Sequence, residues 1–367
     1  MKRKTVALFL ILCLALSCLS FGAAAEELSY DDLVAAAKAE GQLVLTGANS
    51  YLADAAKIFE EEFGITVEFR HQNETEMIQR LGEESQAGNV TVDVACAQDT
   101  YRITSDLLTP GFVMQWTNSR LAPITGSDDA TAVVWYYDTK MFMYNDELVG
   151  EKWLTNLWHI ADPAYKGLYT MKDPATEGVN INMLTMLTAD ENAAKLAEAY
   201  KAYFGKDIEL TEANAGWQLI RALFENGVLL TTSDTTCATT IGAKEQQVTW
   251  VGYFSTQRFI TQEAKNIRLA YDYDVTQPFS GYAYPVYALV IDGCAHPNAG
   301  KLFVEWLITG NGWKAFESYF GGFSANPANA YATPYSFDEI KPYLILDDPD
   351  YLMEARPDVE DLIDSLK

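Results

Sequence analysis

From Ser29 onward the chain alternates between two hydrophobic periods. SYDDLVAAAKAEG sets Leu33, Ala36 and Ala37 along one face, with Ser29 and Asp32 at capping-box spacing and Gly41 as a stop, and this spacing predicts a helix. QLVLTG follows as a short apolar strand, YLADAAKIFEEEFG as an amphipathic helix ending in Gly64, and ITVEFRH as a β-branched strand. NETEMIQRLGEESQAG then reads as a third helix and VDVACAQD as a third, buried strand. Strict alternation of this kind predicts an α/β layer with a largely parallel sheet. Ligands of such sheets bind outside the carboxyl ends of the strands, here residues 46–50, 72–75 and 97–101.

From Ala130 the texture changes. ATAVVWYYDTKMFMYN is a long aromatic and β-branched run that predicts strands, residues 193–204 and 214–224 predict helices, and QQVTWVGYFST predicts a buried strand with a polar end. PVYALVIDGCAHPNAGKLFVEWLIT returns to strand, turn and amphipathic helix. Between them, TMKDPATEGVNIN (170–182) puts an Asp-Pro turn and Thr176 just before a helical run. A helix start carries N–H groups without intrahelical partners and a partial positive charge, so it can hold an anionic or polar ligand. The same residues also suit a plain turn and cap.

The N-terminus has another character. Lys2, Arg3 and Lys4 precede an apolar stretch from Val6 to Phe21, and Ala23-Ala24-Ala25 supplies small residues before Glu26. This is the tripartite pattern of an export signal, expected to span 1–25 with cleavage after Ala25. Cys18 raises lipid modification as an alternative, which Ala15-Leu16-Ser17 fits poorly.

The formal net charge is −25, and loss of the basic leader makes the mature chain more acidic still. Such a surface repels nucleic acid and anionic lipid heads, so neither is expected as a partner. Cys96, Cys237 and Cys294 are widely spaced and odd in number, which argues against a disulfide framework and leaves room for one bridge and a free thiol. His71, His159 and His296 are far apart, and neither CxxC nor HExxH occurs, so no metal site and no cofactor is expected. The mature length exceeds what one core usually organises, so two lobes are expected.

Taken together, LVAAAKAEGQLVLTG, VDVACAQD, YYDTKMFMYNDELV, HIADPAYKGLYTMKDPATEGVN and FGGFSANPAN resemble the extracellular solute-binding proteins of ABC importers. The likeness is to the cluster that includes ferric-iron, hexose-phosphate, phosphonate and thiamine binders. It implies a two-lobe, type II periplasmic-binding-protein-like α/β fold, each lobe a mainly parallel sheet flanked by helices, with a strand hinge. The expected lobes are 26–120 with 275–312, and 121–274 with 313–367. The implied partners are a small-molecule solute, polar or anionic, and the ABC permease subunits in the membrane, with the protein itself a monomer.

On this resemblance Thr176, Gly178 and Asn180 form one wall of a cleft, and Asn49, Ser50 and Glu74 the facing wall. Glu177 departs from the family's small hydroxyl residue at a point where a carboxylate must pair or turn away. Asp99, near a strand end, is a candidate for a solute hydroxyl or amine, or for a cap. Trp135, Tyr136, Tyr137, Trp250 and Tyr253 are candidates for cleft walls, since aromatic faces stack on sugars and hold cations. The ferric members carry two adjacent tyrosines where this chain has Tyr253-Phe254, so a ferric-iron-binding protein is the alternative rather than the expectation. A sensor presenting solute to a membrane receptor is a third reading. An enzyme is disfavoured: no GxSxG is present, and FSGYAY around Ser280 lacks that spacing.

Overall fold

The computed structural model describes residues 27–317 and 321–367; the expected leader, Cys18 and the cleavage point after Ala25 lie outside them. Helix α1 (Tyr30–Glu40) starts where the Ser29 side chain accepts from the Asp32 amide and ends at Gly41, whose φ of 71° suits a residue without Cβ. Strand β1 (Gln42–Gly47), α2 (Leu52–Phe63), β2 (Thr66–His71), α3 (Glu74–Gln86) and β3 (Val94–Ala97) follow in the expected order. The apolar face of α2 is used fully. Phe59 is completely buried between Phe303 and Trp306, with ring centroids 5.2 and 5.1 Å away. A side chain of that size buried to this degree contributes about 1.5–3 kcal/mol.

The second half contributes β4 (Val133–Met143), β5 (Tyr169–Lys172), α4 (Gly178–Leu187), α5 (Asp190–Phe204), α6 (Ala215–Glu225), β6 (Leu229–Thr231), α7 (Asp234–Gly242) and β7 (Val251–Ser255). Then come β8 (Gly281–Val290), α8 (Pro297–Thr309), β9 (Phe323–Ser324), β10 (Leu344–Leu346) and α9 (Pro349–Leu366). The ten strands join one sheet ordered β2-β1-β3-β8-β4-β7-β5-β6, with β10 beside β8 and β9 beside β4.

The flanks of this sheet are parallel, as the alternating pattern predicts. Its centre is not: β4 and β8 run antiparallel along almost their whole length, from Val133↔Ala288 to Met141↔Gly281. The first flank attaches to the far end of β8 through Val94↔Val290 to Ala97↔Tyr287. The second attaches to the far end of β4 through Lys140↔Ser255 to Met143↔Gly252. Two long strands therefore tie the two lobes together, and the chain crosses between lobes inside strands, without a linker. Residues Asn311–Ala315 still pack on α2, and α9 packs across α4 and α6 of the other lobe. Cys96, Cys237 and Cys294 are all free. Among the described residues no helix is long and apolar enough to cross a membrane.

Candidate functional site

The carboxyl ends of strands from both lobes meet at a cavity of about 210 Å³. The first lobe contributes Asn49 and Ser50 from the loop after β1 and Gln98 from the end of β3. The second contributes Asp234 at the start of α7, Ser255 at the end of β7, and Gln257 and Arg258 just after it. Asp138, Lys140 and Tyr284 line it from the two connecting strands. Larger depressions of about 640, 470 and 900 Å³ open elsewhere. The 210 Å³ cavity is the candidate site, because it lies at the carboxyl ends of strands from both lobes and Asp138, Lys140, Asp234 and Arg258 converge on it, as expected at the carboxyl edge of an α/β sheet.

Lys140 interrupts an otherwise apolar run and is 2% exposed. Its Nζ donates to Asn180 Oδ1 at 2.9 Å, lies 3.4 Å from Asp234 Oδ1 and 3.6 Å from Glu177 Oε1. Burial alone would lower its pKa; the carboxylates of Asp234 and Glu177 outweigh that and hold it raised. Burial acts the other way on Asp234 and would raise it, but Lys140, the Ser255 amide at 3.0 Å and Arg258 keep it below the ordinary carboxylate range. Asp138 accepts from the Thr139 amide and from the Tyr284 hydroxyl at 3.0 Å, and burial pushes it up to about 6. Glu177, the residue out of place in the expected pattern, is paired: Lys172 reaches one oxygen, and Gln98 Nε2 donates to the other across the lobes at 3.2 Å.

A second buried polar cluster lies beside this cavity. Asp99, 1% exposed, accepts from Arg356 Nη1 at 2.5 Å and Asn182 Nδ2 at 3.3 Å, and caps the Arg102 amide. Its carboxylate stands against the start of α4, where a Cβ on Gly178 would come within 1.9 Å of Asp99 Oδ2. Arg356 itself is buried, stacked 4.4 Å from the Tyr101 ring centroid. Glu74 accepts from the backbone amides of Gln98 and Asp99, and burial, with Asp99 adding, pushes it up to about 8.

The nine expected site residues are thus divided. Asn49 and Ser50 line the cavity, and Asn180 sits one bond behind it, holding Lys140. Glu74, Asp99 and Gly178 belong to the neighbouring cluster; Gly178 lines the separate 470 Å³ depression. Thr176 is exposed, donates to the Asp173 carbonyl and does not cap α4, whose N-cap is Glu177 without a side-chain bond. Trp135 is fully buried against Tyr136, Phe316 and Trp313, because the bulge in β4 beside it turns it into the core. Tyr253 is fully buried against Phe142, its hydroxyl without a partner among the described residues. Neither ring faces the cavity. Tyr137 lines the 640 Å³ depression instead, stacked on Phe337.

Lys140, Asp138, Asp234, Gln257 and Arg258 were not anticipated. One signal was there to be read: DTK inside YYDTKMFM places two charges in a strand that is otherwise aromatic and apolar. Among the described residues no three His, Cys, Asp or Glu side chains gather in a metal-holding arrangement.

Solved structures share this architecture. Iron-bound HitA from Pseudomonas aeruginosa aligns with a TM-score of 0.69 at 18% identity, covering 89% of this chain and 99% of its own. AfuA from Actinobacillus pleuropneumoniae, with exogenous fructose-6-phosphate bound, aligns at 0.64 and 18% identity, covering 89% and 97%. An ABC-transporter substrate-binding protein from Agrobacterium tumefaciens aligns at 0.65 and 15% identity, covering 89% and 94%. At such identities the likeness establishes the fold, a two-lobe type II periplasmic binding protein. No curated protein sequence matches significantly. Residues 54–339, however, match the family of bacterial extracellular solute-binding proteins, and the chain belongs to that family.

Proposed function

We propose that this protein is the substrate-binding component of an ABC importer, capturing a small polar or anionic solute between its lobes and handing it to membrane permease subunits. The observation that carries this reading is the polar cavity lined from both lobes, with a buried, fully partnered Lys140 at its base. A solute touching both walls gains contacts only when the lobes are together, so it shifts an open–closed equilibrium by its differential affinity. The lobes we propose are 26–120 with 275–312, and 121–274 with 313–367, with β4 and β8 running between them. The protein acts as an exported monomer, in the periplasm or on the outer face of the cytoplasmic membrane. It performs no chemistry on its ligand and has no nucleic-acid partner.

Iron is not the proposed cargo, since the one tyrosine of the Tyr253-Phe254 pair packs in the core. The test is mass spectrometry of gently purified protein for a co-purifying small molecule, followed by calorimetric titration. That molecule should bind and should raise unfolding stability by about 2.7 kcal/mol at a hundredfold excess over Kd. Ser50→Trp, at the exposed rim of the cavity, should leave folding intact and abolish binding. A solute that binds this variant as tightly as the parent places the site elsewhere.

A further inference from the structure

Every charged side chain lining the cavity but one is matched inside the protein. Lys140 has Asn180, Asp234 and Glu177; Asp234 has Lys140 and the Ser255 amide; Asp138 has Tyr284 and the Thr139 amide. Arg258 is the exception in hydrogen bonding among the described residues, although its charge is felt by Asp234. The guanidinium Nε is buried without a hydrogen-bond partner among the described residues. Ser255 and Gln257, two neighbours along the chain, present a hydroxyl and an amide to the same space. Against the other feature that draws anions, the start of α4, stands the protein's own Asp99 carboxylate. An acidic group entering the cleft therefore meets one guanidinium that no described residue hydrogen-bonds, and a cationic or neutral solute leaves it so.

We propose that the captured solute carries an oxyanion, a carboxylate or a phosphoryl group, and that Arg258 is the residue that reads it. The planar guanidinium fork suits both groups bidentately, which an ammonium cannot reproduce. Space limits the rest of the molecule. The cavity is small, about 210 Å³, and it suits a compact acid bearing hydroxyl or amide groups. Ser50, Asn49, Gln98 and Gln257 are the groups that meet its uncharged part. This assignment rests on the solute-capture reading above.

The experiment titrates the full mature chain with inorganic phosphate, glycerol 3-phosphate and malate, and with the neutral glycerol and glucose, alongside any co-purified molecule. At least one acid-bearing probe should bind while its neutral counterpart does not, and the phosphate and malate arms tell which oxyanion is preferred. Arg258→Gln should weaken that binding on the order of a hundredfold, with the ligand-free protein still cooperatively folded. Arg258→Lys, which keeps the charge and loses the fork, should fall between. Binding of a neutral or cationic solute that is indifferent to Arg258→Gln overturns the oxyanion assignment and leaves solute capture standing. If no probe binds and nothing co-purifies, both readings fall.

Discussion

The start of α4 and the guanidinium of Arg258 both attract anions, and the chain has treated them in opposite ways. At α4 the protein's own carboxylate stands close by: Asp99 lies against Gly178, bonded to Asn182 and Arg356, and all are buried. At Arg258 a buried nitrogen waits without an acceptor among the described residues. The first arrangement holds the two lobes to one another; the second leaves an interaction for something from outside. A helix start is thus a ligand site only where the protein itself leaves the anion position open, and orphan N–H groups alone do not say which case applies.

The sharpest way to break this contrast is Gly178→Val. The new Cβ would have to displace the Asp99 carboxylate from its partners, leaving Arg356 buried and unpaired. That should cost the assembled form about 3–5 kcal/mol, read as a lower midpoint in urea unfolding or as a larger radius by small-angle scattering. A variant that unfolds and scatters like the parent would mean that the Asp99 contact is incidental.

The same cluster should show in pH dependence. Glu74 is pushed up to about 8 by burial, from an ordinary value of 4.5. Between these values the folded protein keeps a proton that the unfolded chain has lost. Stability therefore falls as pH rises through this window, by up to about 1.4 kcal/mol per pH unit. Glu74→Gln should flatten that slope. An unchanged slope would assign the effect to another group.

Tyr253→Phe removes a buried hydroxyl with no partner among the described residues, so stability should stay level or rise by about 1 kcal/mol. Solute binding should be unaffected, and ferric citrate should produce no visible tyrosinate–iron band in the parent. A band that this substitution abolishes would return Tyr253 to the site and iron to the cargo. The smallest effect belongs to Thr176→Ala. Its exposed side chain makes one local bond, so both stability and binding should move by less than about 0.5 kcal/mol.

The helices and flanking strands were legible because their causes are local. Ser29 caps α1, Asn73 caps α3, Asn214 caps α6, and Gly41 and Gly64 end their helices in left-handed backbone; each signal acts over four residues or fewer. The loop after β1 was legible as part of the site for a similar reason, since an α/β sheet presents its ligands at strand ends. Trp135 and Tyr253 misled because a large aromatic ring suits a core and a cleft wall equally. Which one it fills depends on a bulge at residue 135 and on Phe142 across the strand pair.

What the sequence determined by itself is the alternating α/β plan, the caps that bound its helices, the acidic balance and the family. Only the tertiary structure decided which charges are spent on one another. Lys140 meets Asn180, Asp234 and Glu177 across separations of 40, 94 and 37 positions, and Arg356 meets Asp99 across 257. Pairing at such distances along the chain is set by how β4, β8 and α9 lie in three dimensions. A carboxylate read from the sequence carries its charge but not its partner, and in a buried site the partner determines whether that charge is structural or free to bind.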